Sequence, residues 1–280
     1  MSRIQTRFAK LKAEGRAGLV TFITAGDPDP DTAQAILNGL PGAGADLIEL
    51  GMPFSDPMAD GPAIQEASIR ALKAGATLAS TLAMVENFRR QDNNTPIILM
   101  GYYNPIYAMG PEIFCDRALA AGIDGVIVVD LPPEEAEELA GPLRRRGLDF
   151  IFLTAPTTNE ERLPAILAQA GGFLYYVSIT GVTGTASAKS VDVRAAIDRL
   201  RRHTDLPLAV GFGIKTATQV AEIAKVADAA VVGSAIVSTL AAHLDPSGRP
   251  KADLVPALLA FVGELAKGTA IETETFRTTS

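Results

Sequence analysis

The stretch "GVIVVDLPPEEAEELAGPLRRRGLDFIFLTA", residues 125–155, joins two apolar runs through a charged, amphipathic segment. Neither "GVIVVD" nor "LDFIFLTA" alternates strictly between apolar and polar residues. Continuous apolar character of this kind marks strands covered on both faces, as in a parallel sheet. Between them, "PEEAEELAGPLRRRG" opens on proline and acids and closes on arginines and glycine, the order that the helix dipole and a glycine C-cap favour. The stretch therefore reads as strand, helix, strand.

Working outward, the same unit recurs along the chain. Apolar β-rich runs begin at residue 18 ("GLVTFITA"), 46 ("DLIELG"), 96 ("PIILMGY"), 125, 148, 172 ("GFLYYVSI"), 207 ("PLAVGFG") and 228 ("DAAVVGS"), each separated from the next by a helical pattern. Eight β-then-α units in about 250 residues fit a closed (β/α)8 barrel, the TIM barrel, better than an open doubly wound sheet. The opening "SRIQTRFAKLKAEG" places Ile4, Phe8 and Leu11 on one helical face, which predicts an additional N-terminal helix over the bottom of the barrel. Further helices are expected in the loops. No linker divides the chain, so residues 1–268 are expected to form one catalytic barrel domain. The polar end, 269–280, is expected to fray.

Composition narrows the function classes. The 280-residue chain carries 25 Lys+Arg against 32 Asp+Glu, a net charge of -7, the reverse of a nucleic-acid-binding footprint. A single cysteine, Cys115, rules out an intrachain disulfide framework and reads as a packed core thiol. The start "MSRIQTRFAKLKAEG" lacks the apolar stretch of a signal peptide, so a cytoplasmic location is expected. The run from Ala229 to His243 is too short to cross a membrane and reads as a strand followed by a helix. Neither nucleic acid nor membrane is expected as a partner.

In such a barrel, function sits at the C-terminal ends of the strands. The second run continues as "LIELGMPFSDPMADGP", residues 47–62, and strand alternation puts Leu47, Glu49 and Gly51 on one face. Burial among apolar neighbours should raise the pKa of Glu49 toward the range useful for proton transfer. The alternative is a structural ion pair, but no basic residue lies inside any of the eight runs to answer it. Asp60 could simply cap the next helix, since "ADGP" is also a helix start. Three prolines stiffen the loop that carries it, however, and fix its reach back toward the strand bearing Glu49. Two carboxylates in different environments can divide the work, one transferring protons and one staying ionised.

Strands seven and eight end in "GFGI" and "GSAIV". Gly211, Gly213 and Gly233 permit close backbone approach there, and Ser234 opens a helix, an arrangement suited to binding phosphate. The bland alternative is that these glycines only close tight turns. After the sixth run, "SITGVTGTASAKS", residues 178–190, reads as a loop of small and hydroxyl residues that could close as a lid, with Thr183 placed to meet the carboxylates. His203 and His243 belong to no metal-ligand cluster, so no metal site is expected. No lysine lies in any strand run, and Lys215 sits at a helix start beside the phosphate loops, which disfavours a Schiff base.

Taken together, "LIELGMPFSDPMADGPAIQEA", "MGYYNPIY", "VVDLPPEE", "YYVSITGVTG", "VGFGI" and "VVGSAIV" resemble the α subunits of tryptophan synthase, from about Ile4 to near Leu265. Met58 and Met100 stand where that family commonly has Leu, exchanges that preserve volume. The resemblance implies retro-aldol cleavage of indole-3-glycerol phosphate to indole and glyceraldehyde 3-phosphate in tryptophan biosynthesis. It implies catalytic roles for Glu49, Asp60 and Tyr175, with Phe22, Met100, Tyr102 and Phe212 lining the substrate pocket. Gly184, Gly213, Gly233 and Ser234 would bind phosphate, and Thr183 would be the lid threonine. A β subunit is the implied partner, in an α2β2 tetramer, with Pro53, Asp56, Pro57 and Asn104 at the contact. Pyridoxal phosphate is expected only in that partner, and no cofactor in this chain. Two rival readings stand beside this one: another phosphate-binding barrel acting as isomerase or synthase, and a barrel kept as a non-catalytic regulatory subunit.

Overall fold

All eight apolar runs form strands, and the fifth is divided in two at Ile151. The computed structural model describes residues 2–178, 186–211 and 213–270, with the side chains of 186–191 excepted. The strands are β1 (Gly18–Thr24), β2 (Leu47–Gly51), β3 (Ile97–Gly101), β4 (Gly125–Val128), β5 (Asp149–Phe150), β6 (Phe152–Thr154), β7 (Leu174–Val177), β8 (Leu208–Gly211) and β9 (Ala229–Val232). They pair in the order β5-β4-β3-β2-β1-β9-β8-β7-β6, every pair parallel. The two ends of that order, β5 and β6, are halves of one run, so the chain itself closes the ring into a (β/α)8 barrel. At the division, the Ile151 N–H still donates to the Val126 carbonyl at 2.9 Å, while the Phe150 carbonyl accepts from Gly171 at 2.9 Å. The fifth run thus faces β4 with one half and β7 with the other.

Helices cover the outside: α2 (Pro30–Gly39), α3 (Pro62–Lys73), α4 (Leu78–Arg89), α5 (Tyr103–Met109), α6 (Pro111–Ala121), α7 (Glu137–Arg145), α8 (Leu163–Leu167), α9 (Ala186–Arg201), α10 (Ala217–Ala224), α11 (Ser234–Ala242) and α12 (Leu254–Ala266). They follow α1 (Arg3–Glu14). The helix read from Pro133 begins later than expected. Glu135 and Ala136 bond back to the carbonyls of Pro132 and Pro133 as tight turns before α7 starts at Glu137. Consecutive prolines disfavour helical backbone just before them, which delays the helix. The segment 178–190 also differs from a continuous loop, because Ala186–Ser190 already belong to α9; its residues 179–185 lie outside the described residues, as do 271–280 of the expected tail. Among the described residues no helix is long and apolar enough to cross a membrane.

Strand alternation sorts the core into two layers. Leu19, Ile48, Leu50, Ile97, Leu99, Val126 and Val210 face outward and pack under the helices. Val20, Leu47, Ile98, Ile127, Ile151, Phe173 and Ala209 fill the barrel, where Ile4, Phe8 and Leu11 of α1 join them. The N-terminal helix is therefore a plug in the bottom of the barrel, as its apolar face predicted. It begins at a Ser2 capping box with Gln5 and ends at Gly15 in the left-handed region (φ 66°), which closes it cleanly before β1.

Three aspartates repeat one device at this bottom end. Asp46, Asp124 and Asp228 each stand just before a strand, and each carboxylate accepts an N–H from the start of the neighbouring strand, from Leu19 (3.0 Å), Ile97 (2.8 Å) and Leu208 (2.8 Å). Arg7 and Arg16 meet Asp46, at 3.4 and 2.7 Å, and Arg3 and Arg89 meet Asp124, at 3.0 and 2.7 Å. The plug and the barrel rim are thus tied by charge as well as by burial. Truncating Asp124 would strand the buried Arg89 guanidinium and the Ile97 N–H. Asp124→Ala is expected to lower stability to urea by about 3–5 kcal/mol. Glu137→Ala, which breaks an exposed pair with Arg144, should cost under about 1 kcal/mol. A similarly small loss at Asp124 would contradict the clamp.

Candidate active site

Glu49 occupies the inner face of β2, level with Phe22 of β1 and Ile98 of β3 in the strand register. Its side chain is 1% exposed, and its Oε1 has no hydrogen-bond partner among the described residues. Among the described residues no salt bridge reaches it either. With nothing to compensate the lost hydration, burial pushes the carboxyl up to about 8. Across the barrel, Tyr175 projects inward from β7, and burial together with the nearby Glu49 charge raises its phenol well above the usual value. Gly211, at the end of β8, makes room for it: a β-carbon there would collide with the Tyr175 hydroxyl. Gly51 does the same for Phe22, whose Cζ lies 2.6 Å from where a β-carbon would stand.

Asp60 lies on the loop between β2 and α3, and it does not cap the helix. The N-cap of α3 is Gly61, with Pro62 at the first helical position and no side-chain cap. The carboxylate of Asp60 is therefore left free for other work. The loop is pinned from the neighbouring strand end: the Ala59 N–H donates to the Tyr102 hydroxyl at 2.9 Å, and Phe54 stacks on the Tyr102 ring with centroids 5.3 Å apart. Gln65 of α3 donates to the Asp60 carbonyl at 2.8 Å. Desolvation raises the pKa of the half-buried Asp60, and a hydrogen bond from Tyr102 opposes the rise. Asp60 and Tyr102 border a cavity of about 10 Å3 together with Phe22, Thr24, Ser68 and Met100. Phe22 and Met100, expected in the pocket, are thus brought beside Asp60 and Tyr102.

Gly233 is the N-cap of α11 and Ser234 its first residue, so the free N–H groups of that helix open at the end of β9. Phe22 lies against Gly233, with Cβ 3.3 Å from where a β-carbon would stand, which sets this helix start beside the pocket. Gly213, after β8, has a φ of 74°, in the left-handed region that favours glycine. Thr183, Gly184 and Phe212 lie outside the described residues. Of the expected partner contacts, Asp56 and Asn104 are exposed, Pro57 is half-buried, and Pro53 is buried within the chain. Met58, 78% exposed, and Tyr107, 63% exposed, add apolar surface beside them. Cys115 is buried in the helix layer, as its sequence context implied.

Sequence reasoning missed several contributors. Thr24 follows Gly18, Val20 and Phe22 on the inward face of β1, a signal that alternation alone could have given. Asp130, whose carboxylate accepts the Tyr103 N–H at 2.8 Å and so caps α5 from another loop, carries no local sequence signal. Among the described residues, no group of three His, Cys, Asp or Glu side chains is placed to hold a metal ion.

Comparison with known proteins was made against families and solved structures. A family model described as "Tryptophan synthase alpha chain" matches residues 8–269. The tryptophan synthase subunit alpha of Legionella pneumophila is 39% identical, with a TM-score of 0.88 over 96% of this chain and 98% of that one. A chain of tryptophan synthase from M. tuberculosis, in an open form, is 34% identical, with a TM-score of 0.85 over 97% of this chain and 100% of that one.

The isolated burial of Glu49 has a consequence for stability. A pKa of about 8 in the folded chain, against about 4.5 in the unfolded one, means that the folded state keeps a proton the unfolded state has lost. Stability is therefore fully present below the unfolded value and is lost as pH rises through the folded one. Glu49→Gln cannot ionise, so it should match the parent near pH 4.5 and exceed it at pH 9, by at most about 5 kcal/mol. Urea unfolding at the two pH values measures this; a difference that does not change with pH would contradict it.

Proposed function

The chain belongs to the family of tryptophan synthase alpha chains, a family of lyase-type enzymes, and on that premise we propose that it cleaves indole-3-glycerol phosphate to indole and glyceraldehyde 3-phosphate. The observation that carries this reading is the uncompensated burial of Glu49 at the head of the barrel. A retro-aldol cleavage of this substrate needs protons moved between a ring carbon and a hydroxyl. A carboxyl poised near neutrality is suited to both transfers.

Glu49 donates its proton to C3 of the indole ring, which turns the ring into an iminium-like electron sink. The bond from C3 to the carbinol carbon then breaks, its electron pair returning to the ring. The hydroxyl proton goes to the Glu49 carboxylate, the carbinol carbon leaves as the aldehyde of glyceraldehyde 3-phosphate, and the other product is neutral indole. Asp60, held ionised, accepts the indole N–H and stabilises the positive charge that develops on the ring. Tyr175 lies beside the reacting hydroxyl. Phe22, Met100, Tyr102 and Phe212 enclose the ring, and Thr183 closes over Asp60. The phosphate rests on the backbone of Gly184, Gly213, Gly233 and Ser234, at the start of α11.

The same reading assigns the exposed rim to a β subunit that receives the indole. Asp56 and Asn104, beside Met58 and Tyr107, are its contact, with Pro53 and Pro57 shaping the loop, and the assembly is an α2β2 tetramer. Pyridoxal phosphate belongs to that partner, this chain works without a cofactor of its own, and the cytoplasm is where both meet. Exposed apolar side chains gathered at one rim support such a contact.

The purified chain should release glyceraldehyde 3-phosphate slowly from indole-3-glycerol phosphate and faster when a tryptophan synthase β subunit is added. No release under either condition, from folded protein, would overturn the proposal. Glu49→Gln should abolish turnover while leaving substrate binding largely intact. In the parent, kcat/KM should fall as pH rises through about 8, where Glu49 loses its proton, and fall again in acid as Asp60 gains one. Asp56→Ala with Asn104→Ala should weaken activation by the partner without changing basal turnover; unaltered activation would contradict the rim assignment.

A further inference from the structure

Thr24 ends β1 on the inner face, 3% exposed, and its Oγ1 is buried without a hydrogen-bond partner among the described residues. A buried hydroxyl left in that condition costs free energy that a valine of the same shape would avoid. Thr24 borders the cavity of about 10 Å3 that also reaches Asp60, Ser68 and Tyr102, while Phe22 and Ile64 wall it with apolar surface. A volume of that order holds one water molecule, and a water needs two to four polar partners, which Thr24, Asp60 and Ser68 supply.

We propose that Thr24 is a positioning residue for Asp60, acting through a water molecule held in this cavity between its hydroxyl and the Asp60 carboxylate. The proposal rests on the reading of Asp60 as the group that accepts the indole N–H. Tyr102 holds the carboxylate from the β3 side, and the Thr24 water holds it from the β1 side. A hydrogen bond donated by the water favours the ionised carboxylate and so opposes the desolvation that burial imposes. It also keeps one carboxylate oxygen turned inward, leaving the other to face the mouth of the barrel.

The charged and titratable groups around this position are few. Tyr102 stands at the junction of β3 and α5, and Glu49 lies lower on β2. α3 offers Arg70, which is held by Asp27 through bonds of 2.7 and 2.8 Å, and Glu66, which is exposed. β1 offers none. The acid limb of the rate profile is therefore assigned to Asp60, with the Thr24 water as the contact that the substitution removes.

The test compares Thr24→Val, Thr24→Ser and Asp60→Asn in the complex with the β subunit, using indole-3-glycerol phosphate cleavage and its pH profile. Thr24→Val should lower kcat about tenfold with KM within about twofold, and should move the acid limb up by about one pH unit. Thr24→Ser, which keeps the hydroxyl, should stay within about twofold of the parent. A valine variant with unchanged kcat and acid limb would overturn the proposal, and so would a serine variant as impaired as valine. Full turnover by Asp60→Asn would overturn it together with the assignment of Asp60. An inactive Asp60→Asn beside a normal Thr24→Val would overturn the water bridge alone. A high-resolution crystal structure gives a readout free of activity: one water within hydrogen-bond distance of both Thr24 Oγ1 and the Asp60 carboxylate is expected, and its absence would overturn the proposal.

Discussion

A carboxyl group held inside an apolar barrel with no counter-charge is the constraint around which this molecule is arranged. Glu49 sits on the inner face of β2 at 1% exposure, and the lost hydration is not repaid by any arginine, lysine or hydrogen bond to its Oε1 among the described residues. The group responds by keeping its proton to about pH 8. Its neighbours fit that condition. Tyr175 meets it across the barrel above a glycine, Gly211, and Phe22 folds over another glycine, Gly51, so that aromatic surface rather than solvent surrounds the proton.

Holding such a group requires stability from elsewhere, and the two ends of the barrel differ accordingly. At the bottom, α1 plugs the ring with Ile4, Phe8 and Leu11, and Asp46 and Asp124 are both met by arginines while also binding a strand N–H. At the top, Glu49 Oε1 has no partner among the described residues, and Asp60 is met by the Tyr102 hydroxyl. Glu49 and Asp60 are thus left without an ion pair among the described residues at the end where the barrel opens, which is where the strand ends of this fold place chemistry, although Asp27 at the same end is paired with Arg70.

Much of this was legible in the sequence because it depends on period and local composition. Unbroken apolar runs marked the strands, alternation put Glu49 inside with Leu47 and Gly51, and a 3.6-residue pattern marked the face of α1. What escaped was set by residues far apart in the chain. The division of the fifth run at Ile151 follows from ring closure, in which one strand must serve two neighbours. Asp60 read as a possible cap because local sequence cannot show that Gly61 takes that place, or that Tyr102, 43 residues beyond Ala59, pins the loop. Thr24 carried only a parity signal, and Asp130 reaches the start of α5 from across 27 residues.

The proton on Glu49 can be observed directly, without reference to turnover. Isotope-edited infrared or carbon NMR titration of glutamate-labelled chain, with Glu49→Gln subtracted, isolates this one carboxyl. A midpoint near 8 is the result that uncompensated burial requires. A midpoint near the ordinary value of about 4.5 would mean that the carboxylate is solvated or paired, and would contradict the account at its foundation.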